Sequence, residues 1–219
     1  MITSGGPGVV TISVRGESHV DVPAELGTVT AAVHASDRDA TAAYERVVRR
    51  TAELSAELAS LQESGVVLHW SVDPVSRWWN HEPSTSRRLH EVRQTVRFTM
   101  PGRDHVADWL SAAAADESLA QGGVWWSLTD ETTNRLLREV RAAAVTDARA
   151  RAQDYADAAG LGSPRLTALS DTGLLGGTGG PELASSRLRS AGGDEVGQTV
   201  RPEDIRVAAE VEARFSAAS

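Results

Sequence analysis

There is no cysteine anywhere in this chain. That absence excludes a disulfide framework, thiol catalysis and any zinc site built on cysteine. Lysine is missing too, and all 22 basic residues are arginine. Schiff-base catalysis and a P-loop lysine are thereby ruled out. Aromatic residues are scarce at 5%, with six Trp against two Tyr and two Phe. No apolar run approaches the ~20 residues that cross a bilayer. The first ten residues, MITSGGPGVV, hold neither the basic region nor the apolar stretch of an export signal. A cytoplasmic protein without a membrane span is expected.

What is present is ordinary for a globular protein: 219 residues, 41% hydrophobic and 24% charged. A chain of this length buries enough surface to fold without a metal or disulfide staple. The formal net charge of -8 favours solubility and argues against a nucleic-acid partner, whose backbone asks for a cationic face.

Hydrophobic periodicity sketches the fold. Val10, Ile12 and Val14 alternate with polar residues, Gly16 interrupts, and Val20 and Val22 resume the pattern up to Pro23. Val29, Ala31 and Val33 mark a second strand, so 10–36 reads as a strand pair. Asp37 or Asp39 can cap a helix carrying Tyr44, Val47, Val48, Thr51, Leu54, Leu58 and Leu61, which Gly65 closes. Residues 67–75 read as a strand, 77–88 as an arginine-rich connection and 89–100 as a strand ended by Pro101-Gly102. Asp104 is placed to cap a short helix with Val106, Trp109, Leu110 and Ala113. Val124, Trp126 and Leu128 suggest another strand.

The longest helix is expected over 134–159, with Leu136, Leu137, Val140, Ala144, Ala148, Tyr155 and Ala159 on one stripe. A short strand follows at 165–170. Residues 171–198 are rich in Gly and Ser and lack periodicity, which predicts a flexible loop. The chain closes on the most regular alternation of all, Ile205, Val207, Ala209, Val211, Ala213 and Phe215. Strands in pairs between helices give an α+β fold, mostly antiparallel, with about three helices packed on one face.

Three segments in this order resemble the SIMPL-domain family, DUF541, which includes YggE-like and periplasmic immunogenic proteins of bacteria. They are ISVRGESHVDVPAELGTVTAAV, LREVRAAAVTDARARAQDYADAAGLGSPRLTALSDTG and RPEDIRVAAEVEARFSA. The resemblance spans nearly the whole chain, so a single SIMPL-like domain with a core over about 9–216 is expected. It implies an α+β fold, oligomeric assembly in some members, and roles in stress tolerance or partner binding. It supplies no catalytic residues to carry over.

The chemistry-bearing residues agree with that silence. His19, His34, His69, His81, His90 and His105 fall in no HxxxH or HExxH spacing. His81-Glu82 and His90-Glu91 flank one loop, but neighbours on a strand point to opposite faces. No G-x-S-x-G elbow occurs. The glycines at 173, 176, 177, 179 and 180 lack the GK[ST] of a phosphate loop. No catalytic residue, cofactor or metal is expected, and the chain reads as non-enzymatic.

One segment stands out. Arg77, Trp78, Trp79, Arg87 and Arg88 place aromatics beside arginines, the residue types enriched where proteins meet. The bland alternative has one Trp of each pair, 78–79 and 125–126, packed inward and the other lying over a sheet edge. The leading expectation is a homo-oligomer or a protein partner. The alternative is a small-molecule site at 77–88 with 171–198 as its lid.

Overall fold

The computed structural model describes residues 8–82, 87–174 and 204–218. Its elements run β1 (Val9–Val22), β2 (Leu26–Asp37), α1 (Ala40–Glu63), β3 (His69–Val72), β4 (Ser76–His81) and β5 (Arg88–Pro101). They continue with α2 (Arg103–Ala113), β6 (Leu119–Ser127), α3 (Asp130–Ala158), β7 (Arg165–Asp171) and β8 (Ile205–Ala218). Every strand pairing is antiparallel, as the α+β expectation requires. The chain reads from sequence as one domain, and its contacts fall into two compact units. The loop expected over 171–198 lies, from residue 175 on, outside the described residues.

One unit holds β2 to β6 with α1 and α2. Its sheet runs β3-β5-β2-β6, and β4 lies against β5 further along the edge that β3 occupies. Val29, Ala31 and Val33 of β2 join Val92, Val96, Phe98 and Met100 of β5 on the helix-covered face. Val47, Leu54 and Leu58 of α1 and Val106 of α2 close that core, and Phe98 meets the Trp109 ring edge-on at 4.6 Å between centroids. The start of α1 is capped as expected: the Asp39 carboxylate accepts the Thr41 N–H at 2.8 Å. Gly65, at φ +80°, lets the chain leave the helix in a conformation other residues resist. The expected cap of α2 is corrected. Gly102, at φ +74°, occupies the cap and Asp104 sits in the first turn, because the Pro101-Gly102 turn already fixes the entry and the Gly102 N–H donates to Glu25 O at 2.7 Å.

The other unit holds β1, α3, β7 and β8. The sheet order is β1-β8-β7, so the regular final strand is central. Two readings of the N-terminal stretch are overturned. β1 and β2 do not pair with each other: among the described residues β1 pairs with β8, from Val9↔Ala218 to Val22↔Ile205. Nor does Gly16 break β1. It pairs with Val211 and lets α3 approach, since a Cβ there would lie 2.1 Å from Ala144 O and 2.7 Å from Ala148 N.

The stripe on α3 is Leu136, Val140, Ala144, Ala148, Ala152 and Ala156, all buried. Its spacing is four throughout, the i±4 ridge that seats small residues close to a partner. Tyr155, expected on the stripe, is 63% exposed, since it lies one position off that ridge.

Candidate interaction site on the β4–β5 hairpin

The arginine-rich stretch read as a connection is a strand. Residues of β4 pair with β5 as Ser76↔Arg93, Arg77↔Val92, Trp78↔Glu91, Trp79↔His90, Asn80↔Leu89 and His81↔Arg88. All six residues of β4 are exposed, which explains why no alternation announced it. On its far side β4 has no strand partner among the described residues.

Side chains divide between the two faces of the hairpin. Arg77, Trp79, His81, Arg88 and His90 share the face that α1 covers elsewhere, since their pairing partners continue the row of Val92 and Val96. The helix begins at Ala40, just after β2 ends at Asp37 opposite His90, so its cover stops there. Arg77 still reaches the helix and stacks its guanidinium over the Tyr44 ring at 4.7 Å. Beyond it, Arg88 lies 4.6 Å over the Trp79 ring, and His81 meets Trp79 edge-on at 5.3 Å. Such exposed cation–ring contacts contribute about 0.5–1 kcal/mol each. Arg87 stands at the start of the return strand, where its carbonyl accepts the Glu82 N–H at 2.8 Å. Arg38, before α1, binds Glu82 at 2.8 Å and ties the hairpin to the helix entry.

Trp78 points the other way, so the five singled-out residues do not form one cluster. Trp79 and Arg88 are brought together, Arg77 flanks them on the same face, Arg87 only precedes the return strand, and Trp78 joins the opposite sheet face. There Glu91 lies 2.7 Å from His34 Nε2 and accepts the Ser36 hydroxyl at 3.2 Å. Further along, Thr99 Oγ1 lies 2.9 Å from Thr28 Oγ1 and 3.0 Å from His69 Nε2. Arg97 grips Asp73 with two bonds of 2.8 and 2.6 Å. Sequence reasoning missed this polar face as a unit. Its signal was the second half of the alternation, Thr28, Thr30, His34 and Ser36 against Glu91, Arg93, Thr95 and Arg97.

The two Trp pairs behave differently. Trp126 is 8% exposed and packs on Gly27, whose missing side chain leaves room for the ring, while Trp125 is 52% exposed. That pair splits as the bland reading expects. Trp78 and Trp79 are both exposed, at 42% and 49%: Trp79 lies beyond the helix cover, and Trp78 is on the opposite, polar face of the sheet.

Residues 12–215 match the family described as SIMPL, a protein of unknown function (DUF541). The chain belongs to the SIMPL family. No curated protein matches it. In this SIMPL chain no three His, Asp or Glu side chains gather to hold a metal ion among the described residues. No described helix is long and apolar enough to cross a membrane.

Proposed function

We propose that this SIMPL chain is a non-enzymatic domain that works by contact with other proteins, its own copies included, through exposed strand edges. The observation that carries this is β4: six exposed residues, one side unpaired among the described residues, and two half-exposed Trp side chains on opposite faces. An unpaired strand is a template for another chain, and Trp and Arg are the residues that anchor such contacts. If the contact serves stress tolerance, as the family resemblance implies, it does so by holding a partner rather than by turning over a substrate.

Light scattering at micromolar concentration, with affinity capture of stoichiometric partners, tests this reading. Association that weakens when Trp78 and Trp79 are both replaced by Ser supports it. A protein that stays monomeric at every concentration and retains no partner sinks it.

A further inference from the structure

The charge around β4 runs against that of the molecule. The chain carries a formal charge of -8, yet the hairpin carries Arg77, Arg87, Arg88 and Arg93 against two carboxylates, Glu82 and Glu91. Both are engaged, Glu82 by Arg38 and Glu91 by His34 and Ser36. Arg77 and Arg88 rest on aromatic rings and meet no carboxylate among the described residues. Other arginines of the chain do form ion pairs, among them Arg46 with Asp37, Arg97 with Asp73 and Arg206 with Asp21.

Backbone geometry adds a direction. Glu82 donates its N–H to Arg87 O, and bonded and non-bonded pairs alternate along an antiparallel ladder. The pairs at Asn80, Trp78 and Ser76 therefore carry the bonds to β5. The N–H and C=O groups of Arg77, Trp79 and His81 point to the free edge. On a strand added there, side chains alternate between the face of Arg77, Trp79 and Arg88 and the face of Trp78.

From this the geometry points to one occupant: an extended segment of a partner protein in which acidic and apolar residues alternate, added as a strand along β4. Its carboxylates meet Arg77 and Arg88, and its apolar side chains lie against Trp78. Pairing of β4 with the β4 of a second copy lacks this charge complement, because it brings arginines of both copies to one edge. The inference rests on the interaction reading above and supplies the partner's chemistry.

The probe is a fluorescein-labelled peptide of alternating Glu and Val, titrated into the full chain and followed by anisotropy. Three controls accompany it: the Lys-Val counterpart, a Glu peptide with proline at alternate positions, and free glutarate as competitor. Saturable binding of the Glu-Val peptide is expected, with the Lys-Val and proline peptides weaker by about tenfold or more. The double variant Arg77→Glu/Arg88→Glu loses a similar factor, and added salt weakens the wild-type complex.

A readout that needs no variant is hydrogen exchange. Saturating peptide slows exchange at the amides of Arg77, Trp79 and His81. Equal binding of the Lys-Val or proline peptide overturns the proposal. So does full competition by glutarate at the peptide's own concentration, or no binding up to about 1 mM. A chain that self-associates or holds a partner yet ignores the peptide keeps the interaction reading and loses this one.

Discussion

At the scale of single residues, the tightest constraint is Gly16. Its hydrogen faces the backbone of α3, and a methyl group would lie 2.1 Å from Ala144 O. Backbone cannot swing aside as a flexible side chain does, so Gly16→Ala is expected to destabilise the chain by about 1–3 kcal/mol or more, read by urea denaturation. A negligible change would show that β1 and α3 are not this close. Asp116 makes a different kind of prediction. Its carboxylate accepts the Ser118 hydroxyl at 2.6 Å and N–H at 2.9 Å, and Arg50 Nε at 2.9 Å. The Ser118 hydroxyl, and then Arg50, hold its pKa below the ordinary carboxylate value of 3.8. A group depressed in the folded state adds stability above its unfolded pKa and loses that contribution as pH falls through the folded one. Asp116→Asn is therefore expected to be less stable than wild type at neutral pH. The gap narrows as pH falls well below 3.8 and through the depressed folded-state value, where wild type also becomes neutral at this position. A gap of constant size in denaturation curves at both pH values would count against it.

At the scale of elements, α3 shows how far a sequence pattern carries. The stripe at intervals of four is a row of fully buried small residues from Ala144 to Ala156. Ala152→Leu forces extra atoms into that seam and is expected to lower stability by about 1–3 kcal/mol. Tyr155→Ala, three positions on, is expected to stay within about 0.5 kcal/mol, as an exposed site does. Thermal melts of the two variants separate the true stripe from the one including Tyr155 that helical spacing alone suggests. The long helices and the final strand were legible because their apolar faces are buried at a fixed period. The cap at Asp39 and the exit at Gly65 were legible because their chemistry is local. The partner of β1 was not. Nothing in 10–36 says that Val14 will pair with Ala213 rather than with a residue of the next strand. β4 escaped for the opposite reason, since a strand exposed on both faces has no hydrophobic period to read. The candidate residues were legible by type, and their division between two faces followed only once the register with β5 was known.

At the scale of the molecule, the buried side chains form two cores that share no member. One gathers Val47, Leu54, Leu58, Val96 and Phe98, and the other gathers Ile12, Ala148, Val211, Ala213 and Phe215. The chain passes from one unit to the other between Val22 and Pro23 and again between Thr129 and Asp130. The second unit is assembled from strands nearly two hundred residues apart, with Asp21 and Arg206 joined by two bonds of 2.8 and 2.9 Å at their ends. Contacts so distant in sequence form slowly and add little until the intervening chain is ordered. Each core should therefore report damage first in its own unit. Leu58→Ala removes a fully buried side chain and is expected to cost about 2–5 kcal/mol. Native-state hydrogen exchange should then accelerate in α1, β2 and β5 while the amides of α3 and β8 keep their protection. Phe215→Ala should give the converse pattern, with β1, β8 and α3 opening first. Equal loss of protection across both units from either substitution would mean that the cores unfold as one cooperative body.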